Sequence, residues 1–195
     1  MEKQRCDWVG EDPVMIAYHD TEWGVPVHND RKLFEFMVLD AMQAGLNWRI
    51  VLQKRDNFKR ALDGFNPRKV AKYDDGDLAR LIETPGIIRN RQKLTASITN
   101  ARGVLAVQKE FGSLDSYLWQ FVNNEPVTNA WTGVGQIPAT SPESVAMSRD
   151  LIKRGFKFVG PTICYAFMQA AGLVNDHLAS CFRYAALANG LGRLT

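Results

Sequence analysis

No stretch of this 195-residue chain stays apolar over the length a membrane helix needs. Its opening residues, MEKQRCDWVG, lack the apolar segment of a secretory signal. Cysteine is scarce: three residues, an odd number in a chain expected not to be secreted, argue against a disulfide framework. Charge of one sign is nearly absent in excess, with 24 Lys and Arg against 21 Asp and Glu for a net +3. The basic residues form no blocks, so no tail grips a polyanion by charge alone, although a nucleic-acid partner is permitted. Internal repeats, low-complexity segments and sustained strand-like alternation are missing too. What remains is an all-α chain, expected in the cytoplasm. Its 46% hydrophobic and 23% charged residues are ordinary for a globular protein. The length suits one domain over residues 1–195, built as two lobes around a real core.

The densest stretch is Arg154 to Cys181, RGFKFVGPTICYAFMQAAGLVNDHLASC. A basic turn bounded by Gly155 and Gly160 leads to Pro161, which suits the first position of a helix running to Ala171. The free N–H groups of that first turn form an anion site. A preceding helix over 142–154, opened by Ser141-Pro142, makes the pair a helical hairpin with Lys and Arg at its turn. Two readings fit: a device for holding a phosphate backbone, and an ordinary hairpin with a solvated charged turn.

The rest of the chain reads as seven to nine helices. Residues 30–44 place Leu33, Phe36, Met37, Asp40, Ala41 and Ala44 on one helical stripe. Asp40 is the anomaly. An unpaired carboxylate is costly on an apolar face, so Asp40 either meets a neighbouring N–H or Tyr hydroxyl, or serves a ligand. Gly45-Leu46-Asn47-Trp48 ends this helix, and residues 49–62 resume one. Further helices are expected after Asn66-Pro67, after an Asp77 cap, over 89–110 with a basic start at Arg89, Arg91 and Lys93, and over 114–122. Residues 123–140 read as a loop containing Trp131, and residues 1–28 as irregular. His28 shows no partner. Trp8, Tyr18 and Trp23 in that irregular segment either lie as a lid on the core or line a pocket for a flat ligand.

His177 and Cys181 are four residues apart, a spacing that puts both on one face of a helix. With Cys6 and His19 they make a possible closed Cys2His2 set of the structural zinc type, tying the two ends of the chain. The other reading is two core cysteines and two satisfied histidines. Cys164 reads as core.

Cys-Asp-Trp-Val at 6–9, Ala-Tyr-His-Asp at 17–20, Glu-Trp-Gly-Val-Pro at 22–26, Gln-Ala-Gly-Leu-Asn-Trp at 43–48, Lys-Arg-Gly-Phe-Lys-Phe-Val-Gly at 153–160 and Gly-Leu-Val-Asn-Asp-His at 172–177 together resemble the 3-methyladenine DNA glycosylase I family. The likeness runs from about residue 5 to about 181. It implies a helix-hairpin-helix glycosylase fold and a structural Zn2+ on Cys6, His19, His177 and Cys181. It implies a base pocket of Trp8, Tyr18, Trp23 and Trp48, with Asp40 and Tyr18 as catalytic groups. Gly45 and Leu46 match the segment that enters the gap in the DNA. Lys153, Arg154, Lys157, Gly160 and Thr162 would hold the backbone without reading sequence. The implied partner is double-stranded DNA carrying alkylated bases, with no membrane and no required protein partner, acted on by a monomer. The implied reaction is hydrolytic excision of N3-methyladenine. Asn175 stands where many helix-hairpin-helix glycosylases carry an essential Asp, as in this family, which manages without it. Where the family carries a pocket Glu, this chain has Asp40, one methylene shorter. The alternatives are a relative that binds modified bases without excising them, and a zinc-stabilised DNA-binding module without a lesion pocket.

Overall fold

Most helices of this protein begin at a polar side chain that accepts from its own first turn, an arrangement that contributes about 1 kcal/mol each. In the computed structural model, which describes residues 3–189, Asp12 caps α1 (Pro13–Thr21) and Asn29 caps α2 (Asp30–Gln43). Asn47 caps α3 (Trp48–Ala61), Asn66 the short α4 (Pro67–Val70), and Asp74 caps α5 (Asp75–Glu83). Asn90 caps α6 (Arg91–Phe111), Ser113 caps α7 (Leu114–Trp119) and Ser141 caps α8 (Pro142–Lys153). Helices α9 (Pro161–Ala170) and α10 (Phe182–Ala188) start without a side-chain cap.

Several expectations change. Residues 13–21 are helical, not irregular. Pro13 occupies the first turn, where it is tolerated, and Asp12 receives the Val14 N–H at 2.8 Å. No apolar stripe betrays this helix, because its buried side chains are the adjacent Tyr18 and His19. Trp48 opens α3 instead of closing α2. Asp77 is the third residue of α5 and returns the cap, its carboxylate accepting from the Asp74 N–H while Asp74 accepts from its own. His28 does find a partner, Asp115, at 2.9 Å. Ten α-helices are present among the described residues, beyond the seven to nine expected. A two-residue parallel pair is also present, β1 (Val127–Thr128) against β2 (Val174–Asn175), with Val127 opposite Val174. Two residues are too few for a periodicity to announce.

Helix α2 is buried on nearly every side, from Leu33 to Met42, and packs against α3, α6, α7 and α9. One continuous cluster of buried side chains reaches from Cys6 to Cys181. The pair α8 and α9 packs closely, with the Arg154–Gly160 turn between them. The N-terminal segment is stitched to the end of α9 by backbone bonds, Gly24 N–H to Gln169 O and Val27 N–H to Ala171 O, both 3.0 Å. Gly172 makes that contact possible. Its φ is +72°, and a Cβ there would lie 2.3 Å from the carbonyl carbon of Val25.

Gly172→Ala therefore combines backbone strain with a clash against immovable main chain. We expect a loss of about 2 kcal/mol or more in urea denaturation. An unchanged midpoint would show that the segment after Trp23 is free to move away.

Candidate functional site

Four buried side chains from opposite ends of the chain meet behind α1. Cys6 precedes a short helical turn over Asp7–Val9, and His19 lies on α1. His177 and Cys181 both precede α10, Cys181 standing immediately before its first residue. The spacing of the last two places them together, although the residues between them form a turn instead of the helix that spacing suggested. Cys6 Sγ lies 3.6 Å from His177 Nδ1, while Cys181 Sγ lies 3.5 Å from both His177 Nδ1 and His19 Nε2. The four ligand atoms all fall within 4.8 Å of one another. The outer nitrogen of each imidazole is committed elsewhere. His177 Nε2 faces the Trp23 carbonyl at 3.0 Å, and His19 Nδ1 faces Asp20 at 2.8 Å. Carbonyl and carboxylate oxygens accept, so those nitrogens carry the protons and the inner ones are bare toward the sulfurs. Arg5 holds Asp20 in turn through a forked contact, at 2.8 Å and 2.9 Å in its shorter bonds. Cys6 donating toward Cys181 holds the Cys181 thiol well below its ordinary range, toward the thiolate that metals bind. The arrangement can hold a metal ion. Gly24 leaves room for the His177 ring: a Cβ there would stand 3.1 Å from its Cδ2 and Nε2.

The aromatic pocket stands directly against this cluster. Trp8 packs edge-on to His19 at 5.4 Å and to Trp23 at 4.8 Å, and Trp23 packs edge-on to His177 at 4.6 Å. Tyr18 leans on Trp48 at 5.4 Å. A cavity of about 250 Å³ opens among these rings, and Trp8, Tyr18, Trp23, Asp40 and Trp48 all line it. Sequence reasoning missed Met15 and Gln43 as further lining residues, and likewise Gln169 from α9 and Val134 and Ile137 from the loop. Asp40 is only 3% exposed, and its Oδ2 has no hydrogen-bond partner. The Trp48 indole nitrogen is likewise buried and unpartnered. Burial pushes the Asp40 carboxyl well above its ordinary value. Burial, then the nearby Asp40 and Glu22 charges, does the same to the Tyr18 hydroxyl. Two orphaned polar groups in a cavity walled by rings are what a site awaiting a flat polar ligand presents. A larger opening of about 390 Å³ is lined by Glu22, Lys32, Glu35 and Arg55, but these pair with one another.

Asp176 anchors one side of the pocket, a role its place beside His177 did not suggest. It is fully buried and accepts from Tyr165, Gln169, Asn129 and Trp131 at 2.6–2.8 Å. It thereby fixes Gln169 on α9 and roots the loop that carries Val134 and Ile137.

The residues assigned to backbone contact divide. Gly45, Lys153, Lys157 and Thr162 are exposed, Gly160 is half-buried, and Leu46 is 40% exposed at the tip of the α2–α3 turn. Arg154 does not join them. It pairs with Glu110 at 2.7 Å and Asp150 at 2.6 Å and lies over the Phe111 and Tyr117 rings. Nor is Lys93 part of a surface basic cluster with Arg89 and Arg91: it is buried, with its ammonium on the carbonyls of Met42 at 2.9 Å and Ala44 at 2.5 Å.

A sequence profile of the methyladenine glycosylase family matches residues 8–184, and the chain belongs to that family. It is 48% identical over 181 residues to DNA-3-methyladenine glycosylase 1 of Escherichia coli K12, covering 93% of this chain and 97% of that one. A crystal structure of 3-methyladenine DNA glycosylase I superposes with a TM-score of 0.90 at 49% identity, covering 92% of this chain and 98% of the other. A tyrosine-to-phenylalanine variant of 3-methyladenine DNA glycosylase I in complex with 3-methyladenine also matches. Its TM-score is 0.90 at 33% identity, over 92% of this chain and 97% of that one.

The buried carboxyl makes a pH-dependent prediction. Asp40 holds its proton in the folded chain well above 3.8, the ordinary value at which the unfolded chain releases it. As pH rises past that value the folded state keeps a proton that the unfolded state has released, so stability falls. Asp40→Asn removes this dependence. Its urea midpoint should gain on the wild type between pH 4 and pH 8, and an equal difference at both values would remove the charge-burial account.

Proposed function

We propose that this chain is a monofunctional DNA-3-methyladenine glycosylase, which excises N3-methyladenine from alkylated duplex DNA and leaves an abasic site. The observation that carries the reading is the ring-walled cavity with the buried Asp40 at its edge. N3-methylation makes adenine cationic while leaving it flat. Electron-rich rings of Trp8, Tyr18, Trp23 and Trp48 favour such a base over neutral adenine by stacking and cation–π attraction. The Asp40 carboxyl and Tyr18 hydroxyl read its polar edge and act as the catalytic pair. The same methylation weakens the glycosidic bond, so tight holding of the departing base supplies much of the acceleration. The lining side chains include no lysine among the described residues, which supports hydrolysis over a Schiff-base route.

A base reaches this pocket only after leaving the duplex. Leu46, presented by Gly45 at the tip of the α2–α3 turn, enters the gap. Lys153 and Lys157 hold the phosphate backbone, with Gly160, Thr162 and the free N–H groups of the first turn of α9, and they read no sequence. Arg154 is left to its internal ion pairs.

The metal of the Cys6, His19, His177 and Cys181 set is zinc in this reading. Tetrahedral ligands at roughly 2.3 Å for sulfur and 2.0 Å for nitrogen have sulfur–nitrogen edges of about 3.5 Å. Three of the four such edges here, Cys6–His177, Cys181–His177 and Cys181–His19, are 3.5–3.6 Å. Four protein ligands leave no open position, so the ion would supply structure and no chemistry.

Purified protein should release 3-methyladenine from methylated duplex DNA. Asp40→Asn should slow release on the order of a hundredfold in single-turnover assays, and Tyr18→Phe should slow it while leaving nonspecific DNA affinity unchanged. Borohydride should trap no covalent DNA complex. Wild-type protein that binds lesion DNA but frees no base would overturn the enzymatic reading. Separately, elemental analysis should find about one zinc per chain in wild type and a loss of it in Cys181→Ser. A folded, metal-free wild type would sink the zinc assignment.

A further inference from the structure

Helix α6 supplies no side chain to the aromatic pocket, yet it holds both of the segments that carry the exposed residues assigned to DNA. At its first turn the buried Lys93 ammonium donates to the Met42 and Ala44 carbonyls. Those are the last carbonyls of α2 and the turn leading to Leu46, groups a helix C-terminus leaves without internal partners. A cation there also complements the negative end of the α2 dipole. Two turns later, the buried Asn100 grips the hairpin by its main chain. Its Nδ2 donates to the Lys157 carbonyl at 2.9 Å, and its Oδ1 accepts from the Lys157 N–H at 2.8 Å. The amide group thus pairs with Lys157 in both directions, as a neighbouring strand would. Gly103, one turn further, lets the Phe156 ring lie where a Cβ would stand 2.7 Å away. Near the end of the helix Glu110 takes the forked contact of Arg154.

Lys93 and Asn100 are seven residues apart, hence on one face and about 10 Å apart along the axis. We propose that α6 is the spacer that sets the distance between the Leu46 turn and the Lys157 hairpin, with Lys93 and Asn100 as its two positioning residues. A duplex presents its phosphates and the gap left by a flipped base at fixed separations, so a protein that engages both gains from holding them on one rigid element. The side-chain contacts suit such a part. A charged donor on two carbonyls and a two-way amide pair are directional, where apolar packing alone would let each segment slide. This inference rests on the proposed DNA-contacting roles of Leu46 and Lys157.

The test measures affinity for a duplex with a stable abasic analogue beside affinity for free 3-methyladenine, read by tryptophan fluorescence. Lys93→Met and Asn100→Leu should each weaken duplex binding by about tenfold or more. Free-base affinity should stay within about twofold, because neither residue lines the pocket. Lys93→Arg should restore most of the duplex affinity, since it keeps a cationic donor. Should Lys93→Met fail to fold, Lys93→Gln, which retains a donor for one carbonyl, takes its place in the same assays. Equal losses for duplex and free base would mean a general structural role and overturn the spacer. Leu46→Gly and Lys157→Ala separate the two possible failures. If both weaken duplex binding while the α6 variants do not, the spacer alone falls. If neither weakens it, the proposed DNA surface falls and the spacer with it.

Discussion

The contact between Cys6 and His177, 171 residues apart, closes almost the whole chain into a loop. Closing a loop of that size is costly in chain entropy, so whatever holds the two sulfurs and two imidazoles together does large work on the fold. The pocket depends on it through immediate neighbours. Trp8 is two residues from Cys6, Tyr18 adjoins His19, and Trp23 accepts from His177 through its carbonyl while its ring packs on the same imidazole. Three of the four aromatic walls are therefore placed by the side chains that meet in the cluster. The fourth, Trp48, comes from the Asn47-capped start of α3 and meets Tyr18 from outside.

Asp40 shows the opposite economy. On α2, among residues that fill the core, its carboxyl has lost water and found no protein partner for Oδ2. A fold selected for stability alone would place an apolar residue there. In the proposed reading the ligand is what satisfies this group, and Trp48 carries a matching unpartnered donor on the same cavity. Stability is spent where recognition is needed, a common feature of binding sites.

The sequence carried this site unevenly. The all-α class, the α2 and α6 helices and the Asn66 and Ser141 helix starts follow from periodicity and from a polar residue set before Pro67 and Pro142. Asp40 announces itself as a charge on an apolar stripe. Spacing alone left Cys6, His19, His177 and Cys181 open between metal ligands and core residues; motif likeness joined them, and the fold brings their ligand atoms within 4.8 Å. Other features had no local signature. Helix α1 lacks a stripe because aromatic and imidazole side chains bury it on the cluster side. Lys93 and Arg154 look like exposed cations in sequence, and only the fold reveals that α2 carbonyls and Glu110 claim them. Asp176 could not be read as an anchor, because its donors come from Asn129 and Trp131 far upstream and from α9. Long-range polar pairing of this kind leaves no period in a sequence.

The loop bearing Val134 and Ile137 meets the rest of the protein through the β1–β2 pair, the Asp176 hub and a bond from the Ala179 N–H to the Trp131 carbonyl. Those attachments all lie on its N-terminal arm, between Val127 and Trp131. The stretch from there to α8, which brings Val134 and Ile137 to the cavity, is thus an interchangeable part. Its length and side chains are open to revision without altering the bonds that hold Asp176 to α9 or the meeting of Cys6, His19, His177 and Cys181. A lineage adapting to a different damaged base has there a piece to redraw while the machinery beneath stays as it is.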